Sequence, residues 1–246
     1  MTKKMDIFVS EIDTKRFGTR TAKALLNDFS VIDDVMQWCF DQNVNFLITR
    51  CDTKYISTIQ ELERNGFILC DTLVVYENTD LNVAEKRITS EYSIRIATID
   101  DANIVGQVAE SAFHNFFGHY HTDKKLNRHD VDQVYVSWAK NSCLDKKVAE
   151  IVFLVCKNNS CVGFLTIRKT DTNKAEIVLN AILPEYQGQG LYPLLISRAK
   201  EWCVSNRISN LSVSTQVNNL APQKVWVRHG FEPTMSFYTF HKWFDK

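Results

Sequence analysis

The residues with the clearest chemical use lie together at Ile182-Leu183-Pro-Glu-Tyr-Gln187-Gly188-Gln189-Gly190-Leu191-Tyr192-Pro193. An apolar strand gives way there to a turn with two glycines, and the turn opens a helix. Glycine lets backbone approach a ligand closely, and Pro193 suits a first helical turn, where its missing N–H would have had no partner. Unpaired amides at the positive end of a helix make a cradle for an anion such as a diphosphate. The helix dipole contributes only ~0.3–1 kcal/mol per charge, so amide hydrogen bonds must do most of the orienting. A plain strand-to-helix turn would use the same glycines, so the choice rests on what surrounds them.

Any anion must be held locally. Lys plus Arg and Asp plus Glu both total 29 in 246 residues, with zero formal net charge, which leaves no broad basic face for nucleic acid or an anionic membrane. With 45% hydrophobic residues and 24% charged, the chain has an ordinary globular composition. The N-terminal stretch reaches Glu11 before an apolar core of signal-peptide length, and no apolar run is long enough to span a bilayer, so a cytoplasmic chain is expected. Seven cysteines without a Cys-x-x-Cys pair point to reduced thiols.

The scaffold that positions the cradle shows in an internal repeat. An offset of 164 places Ile32 on Ile196, Trp38-Cys39 on Trp202-Cys203, Leu47 on Leu211, Arg64 on Arg228 and Gly66-Phe67 on Gly230-Phe231. Each copy has an apolar-periodic helix carrying the Trp (31–43; 192–206), a strand (45–49; 210–215), a second helix closed by Gly-Phe, and a following strand (69–76; 234–241). The first copy has Lys23-Ala-Leu-Leu-Asn-Asp28 where the second has the cradle, so one ligand site per chain is expected. Polar, aperiodic residues 78–92 are read as the boundary between modules 1–85 and 93–246. The second module reads as strand 93–97, helix 101–113, an irregular His-rich loop, helix 130–140, strands 150–156, 161–169 and 175–182, then the repeated elements. Alternating strands and helices predict a mixed α/β sheet covered by helices.

The segment Gln187-Gly188-Gln189-Gly190-Leu191-Tyr192 resembles motif A of the Gcn5-related N-acetyltransferases (GNAT), the Arg/Gln-x-x-Gly-x-Gly/Ala loop. Asn219, Trp226 and Gly230-Phe231 stand where relatives have Asn, Tyr and Gly-Phe. The resemblance covers the whole second module. It implies a mostly antiparallel central sheet flanked by helices, preceded by a smaller degenerate GNAT-like half module, and acetyl-CoA as co-substrate. It assigns coenzyme contact to Ile182, Leu183, Gln187 to Tyr192, Asn219 and Trp226. It also implies that the fourth and fifth strands of the module splay apart, with a backbone N–H near Leu183 on the thioester oxygen. Two positions depart from the family pattern. Tyr192 replaces a small residue and tightens the space beside the pantetheine arm, and Trp226 replaces the Tyr that serves relatives as acid. An indole N–H donates a hydrogen bond but does not give up its proton near neutral pH, so Tyr192 or solvent is left to meet the leaving thiolate. Trp226 is equally readable as a core aromatic.

The insert Ser111-Ala-Phe-His-Asn-Phe-Phe-Gly-His119-Tyr-His121-Thr-Asp123, with Tyr135-Val-Ser-Trp138 after it, mixes rings to stack on with groups that bond hydroxyls, as a sugar or nucleotide site requires. Together with the two-module layout and Phe17-Gly18, it resembles the acetyltransferases acting on dTDP-linked 4-amino-4,6-dideoxyhexoses, except that His119-Tyr120 stands where those carry Arg-Phe. His119, His121, Asp123 and Tyr135 are the candidate acceptor-binding residues. A zinc or iron site among His114, His119, His121, His129 and Asp123 is the less common use of such residues. That resemblance makes Asp71 the candidate base, with Glu176 as runner-up, for direct attack of a neutral amine on the thioester. A small acceptor amine is the expected partner, with a homodimer allowed but not required. Two other readings stay open: transfer to another small amine or a peptide N-terminus, and a CoA-binding module without catalysis.

Overall fold

The computed structural model describes residues 6–82 and 91–244. In chain order they form β1 (Asp6–Val9), α1 (Glu11–Phe17), β2 (Thr21–Leu25), α2 (Ile32–Asp41), β3 (Phe46–Asp52), α3 (Ile56–Arg64), β4 (Ile68–Asn78), β5 (Tyr92–Ile96), α4 (Ala102–Phe113), α5 (His119–Thr122), α6 (Arg128–Leu144), β6 (Ile151–Lys157), β7 (Ser160–Asp171), β8 (Lys174–Ile182), α7 (Leu191–Ser205), β9 (Asn210–Gln216), α8 (Leu220–Arg228) and β10 (Glu232–Trp243). The repeat is present in hydrogen bonds as well as in identities. Shifted by its offset, β3 falls on β9 and α3 on α8 residue for residue. The helix ends close alike. Gly66 N–H donates to Glu63 O and Phe67 N–H to Leu62 O, and Gly230 and Phe231 donate to Val227 O and Trp226 O. Both glycines are left-handed, at φ 71° and φ 80°, the conformation that ends a helix at low cost only for glycine.

The chain divides into two units that are not contiguous in sequence. Unit 1 takes in the chain up to Val74, Phe117–Val131 and the end from Met235; unit 2 is Val75–Phe116 and Asp132–Thr234. Residues 83–90, within the stretch read as a boundary, lie outside the described residues.

In unit 1 the strand order is β1-β2-β3-β10-β4. β2 and β3 are parallel, while β1 pairs with β2 and β10 with β3 antiparallel. Val35, Cys39, Leu47, Leu62 and Phe240, all at 0% exposure, lie at the centre of its core. In unit 2 the order is β9-β8-β7-β6-β5, antiparallel except for the parallel pair β8/β9. β6 is buried at every position but its last, as expected of a strand covered on both faces. α4 packs on β7 and β8, and α7 on β6, β7 and β8. The result is the mixed, helix-flanked sheet that the alternation predicts, mostly antiparallel as the resemblance implies. β1, α1 and β2 went unread, and the His-rich stretch expected to be irregular contains the single-turn helix α5. Among the described residues, no helix is long and apolar enough to cross a membrane.

Candidate functional site

β8 delivers the chain to the cradle with one edge open. Its ladder with β9 runs from Lys174↔Asn210 to Ile177↔Val213 and stops, although β8 continues to Ile182 and β9 to Gln216. On its other side β8 keeps β7 as far as Ile182↔Gly163. Its last residues therefore present backbone donors and acceptors with no β9 partner, as the expected splay requires. The Leu183 N–H is not among them, since it donates to Val162 O at 2.9 Å. The backbone donor expected near Leu183 must be a different amide.

Gly188 and Gly190 are both left-handed, at φ 76° and φ 79°, and a Cβ on either would meet no protein atom within 4 Å. Glycine is needed there for the backbone turn itself, and the space beside it is open. Gly190 is the N-cap of α7 and lends it no side-chain cap. Among the described residues, no acceptor takes the N–H of Gly188, Gln189 or Gly190. The first amides of α7, on Leu191 and Tyr192, have no intrahelical acceptor by geometry. Five consecutive amides, 188 to 192, thus have no protein acceptor among the described residues. The glutamine side chains brace the turn. Gln187 Nε2 donates to Ile182 O at 3.0 Å, Gln189 Nε2 donates to Glu185 O at 3.1 Å, and Gln189 Oε1 accepts from the Tyr92 hydroxyl at 2.6 Å.

Trp226 is 1% exposed. Its Nε1–H donates to the Tyr192 hydroxyl oxygen at 2.6 Å, and its ring meets Tyr76 edge-on at 5.4 Å between centroids. Burial pushes the half-buried Tyr192 phenol above its usual range, outweighing the indole hydrogen bond that acts the other way. The Asn219 side chain turns back to β9, with Nδ2 donating to Thr215 Oγ1 at 2.9 Å.

Not every expected residue joins this group. Glu176 pairs with Arg168 across the β7/β8 ladder at 2.9 Å. It stands six residues before Ile182, about 20 Å along the strand at ~3.3 Å per residue. Tyr135 is an aromatic-core residue, stacked on Phe113 at 4.8 Å and edge-on to Phe116 at 5.1 Å. A polar hollow is lined by Gln107, Glu110, Ser111, His114, Asn115 and Pro184; Ser111, His114 and Asn115 belong to the insert read as the acceptor side, while Gln107 and Glu110 were not singled out.

Asp71, half-buried on β4, belongs to unit 1, as do His119, His121 and Asp123. Asp123 Oδ2 accepts from His241 Nδ1 and Trp243 Nε1, both at 2.8 Å. His241 Nε2 lies 2.9 Å from His119 Nδ1. With the His241 proton on Nδ1, its Nε2 accepts from His119, which leaves the His119 lone pair on Nε2. His121 Nδ1 accepts the Gly118 N–H at 3.0 Å and helps start α5. The neighbouring Tyr120 hydroxyl donates to buried Asp13, which is also paired with Lys23 and Arg16. Sequence reasoning found Asp123 and His119 but missed His241 and Trp243, which meet Asp123 across more than a hundred residues of chain, and Asp13, which lies in the unread helix α1.

Known proteins resemble the chain over the segment that carries the cradle. The model of the acetyltransferase (GNAT) family matches residues 96–231. The spore coat polysaccharide biosynthesis protein SpsD of Bacillus subtilis (strain 168) is 22% identical over 143 residues, covering 58% of this chain and 48% of that protein. Streptothricin acetyltransferase A of the same organism is 26% identical over 108 residues, 44% of this chain and 57% of that protein. The chain therefore spans about half the length of the curated relatives it matches. In fold it is similar to a tandem GNAT protein from the clavulanic acid biosynthesis pathway, solved without AcCoA, with TM-score 0.64 and 11% identity, over 92% of this chain and 76% of that one.

Proposed function

Because the chain belongs to the acetyltransferase (GNAT) family, we propose that it transfers the acetyl group of acetyl-CoA to the amine of a small acceptor, a dTDP-linked amino-dideoxy sugar. The observation that carries the reading is the row of five amides from Gly188 to Tyr192 without acceptors among the described residues, together with the open edge of β8. A diphosphate fits such a row, and an extended amide-bearing arm fits a strand edge, so the residues present suit coenzyme A. The name of SpsD places that relative in polysaccharide biosynthesis, which favours a sugar acceptor.

Bound acetyl-CoA would supply a thioester carbonyl activated towards an amine. The amides of residues 188 to 192 hold and orient it, which gives up translational freedom before the reaction starts. A free N–H on the edge of β8 holds the negative charge that develops on oxygen. Asp71 takes the proton from the attacking amine, and Glu176, already paired with Arg168, takes no part. His119 and Asp123, spent in the network with His241, hold the acceptor-facing insert in shape. We assign the coenzyme site to module 93–246 and an acceptor-shaping role, with the base Asp71, to module 1–85.

Thiol release from acetyl-CoA in the presence of a dTDP-4-amino-4,6-dideoxyhexose tests this. Wild-type protein should release thiol with the sugar, and Asp71→Asn should lose ~10²-fold in turnover, most severely at low pH, where the amine is hardest to deprotonate. Release only with other small amines or peptide N-termini would replace the acceptor. CoA binding without release would make the chain a non-catalytic binding module. An unaltered pH–rate profile in Asp71→Asn would remove that residue from the mechanism.

A further inference from the structure

Two of the seven cysteines stand opposite each other in the sheet. Four of the seven lie in strands, Cys51 in β3, Cys70 in β4, Cys156 in β6 and Cys161 in β7, and of these strands only β6 and β7 are neighbours. In their antiparallel ladder Cys156 is the direct partner of Cys161. Opposed residues of such a ladder share a face, with Cα atoms ~4.5–5.5 Å apart, inside the ~4.4–6.8 Å that a disulfide spans. Their Cβ atoms, ~4.5–5.5 Å apart, stand at or beyond the ~3.5–4.5 Å a disulfide takes, so bridging needs a local twist. The ladder is already irregular at this rung: Val155 pairs with Gly163 and Cys156 with Cys161, which leaves Val162 as an extra residue, and a bulge of this kind lets a strand bend and twist. Both thiols are free and buried. Only the rung Lys157↔Ser160 separates them from the exposed two-residue turn of Asn158 and Asn159, so a short local opening uncovers them.

We propose that Cys156 and Cys161 are a redox-sensitive pair that a peroxide joins in a reversible disulfide, and that this bond disturbs the end of β8 and lowers coenzyme affinity. The second clause rests on the coenzyme reading of the cradle. Arg95, held by Asp101 at 2.6 and 2.7 Å, keeps a cation close to Cys156, whereas burial pushes the Cys161 thiol up to about 12. Cys156 therefore reacts first. Its thiolate attacks one peroxide oxygen; the S–O bond forms, the O–O bond breaks, and the hydroxide released takes up the proton Cys156 gave off, leaving a sulfenic acid and water. The Cys161 sulfur then attacks the Cys156 sulfur; the S–S bond forms, the S–O bond breaks, and the Cys161 proton leaves with the hydroxyl as a second water. The two thiols have lost two electrons and the peroxide has gained them. A bond closed by twisting the ladder is strained, and strained disulfides are readily reduced. The contacts around it lead to the cradle. Cys161 Sγ donates to Gly163 O at 3.5 Å, Val162 O accepts the Leu183 N–H at 2.9 Å, and Gly163 is the ladder partner of Ile182. Oxidation removes the first of these contacts and twists the bulge that carries the other two.

The test treats the reduced protein with hydrogen peroxide, alkylates the remaining thiols and digests with trypsin without reductant. Peptides 148–157 and 158–168, which carry one cysteine each, should stay joined, and the thiol titre should fall by two of the seven. Dithiothreitol should reverse both changes. Calorimetry then uses desulfo-CoA, which has no thiol to reduce the bridge. The oxidised protein should bind it about fivefold or more weakly than the reduced protein, the range of an ordinary coupling between sites. Cys156→Ser and Cys161→Ser cannot bridge and should keep their own affinity after peroxide; where a serine variant fails to unfold cooperatively, the alanine variant takes its place. Unlinked peptides, or a bridge to any other cysteine, overturn the inference, as does a bridge between 156 and 161 that leaves the affinity unaltered. Reduced wild-type protein that does not bind desulfo-CoA overturns the coenzyme reading instead, and the linked peptides still decide whether the pair oxidises.

Discussion

His119 is held neutral by its surroundings, and this has a consequence for stability. Burial pushes its pKa well below the usual value, and the charges of His241, Arg50, Lys23 and His121 push it the same way. In the unfolded chain the same side chain takes a proton near pH ~6.5. Below that pH the unfolded state holds one proton more than the native state, so stability falls with acidity by up to about 1.4 kcal/mol per pH unit for this one group. Asp123 acts lower on the pH scale. Burial opposes its charge, but hydrogen bonds from His241 and Trp243 prevail and depress its pKa, so its contribution is lost only as pH falls through that depressed value. Urea unfolding followed by hydrogen exchange within residues 117–131 should show stability dropping by about 1 kcal/mol between pH 6.5 and 5.5 in the native protein. His119→Gln should be less stable at pH 7.5 yet much flatter across that interval. Equal slopes in the two proteins would mean that His119 is protonated in the native state.

On the side away from its open edge, β8 is approached closely by β7. A Cβ at Gly163 would meet the Ala181 carbonyl oxygen at 2.8 Å and collide with the Ile182 side chain. Glycine there serves close packing, since Gly163 is also the ladder partner of Ile182, the last residue of the strand before the cradle. Gly163→Ala should cost ~1–3 kcal/mol as an overpacked core position, and it should weaken CoA binding because the displaced atoms belong to the ligand-facing strand. Full stability together with weakened binding, or the reverse, would break that link. Gly163 did not stand out in the sequence, whereas Gly188 and Gly190 did. The difference is physical. A turn with successive left-handed residues leaves a local signature, but a close approach between strands is set by partners remote in the chain. The same reasoning explains why the repeat was legible, although its strands were read short of the shared ends of β3 and β9, while the Asp123–His241 pair, 118 residues apart, was not. The pairing of Trp226 with Tyr192, 34 residues apart, was equally hidden, although both residues were singled out by type.

Duplication produced two helix starts with opposite electrostatics. In unit 2 the turn before α7 ends in Gly190 and offers bare amides. At the corresponding place in unit 1, Asp28 caps the short turn before α2, and its Oδ1 accepts the Ser30 N–H at 2.9 Å. A carboxylate of the chain already fills the position of an anion there and repels a second one, so the proposed function calls for one coenzyme site although the scaffold occurs twice. Calorimetry should give one CoA per chain. Gly190→Asp, which brings a carboxylate to the second start, should reduce the affinity at least tenfold, since it removes a favourable helix-end interaction and adds a repulsive one. Gly18→Ala is the control. Gly18 is also left-handed, at φ 60°, with nothing within 4 Å of its Cβ position, so the substitution carries the backbone cost of ~1 kcal/mol without touching the cradle and should leave CoA affinity unchanged. Two CoA molecules per chain, or undiminished affinity in Gly190→Asp, would contradict a single anion site built from the amides of unit 2.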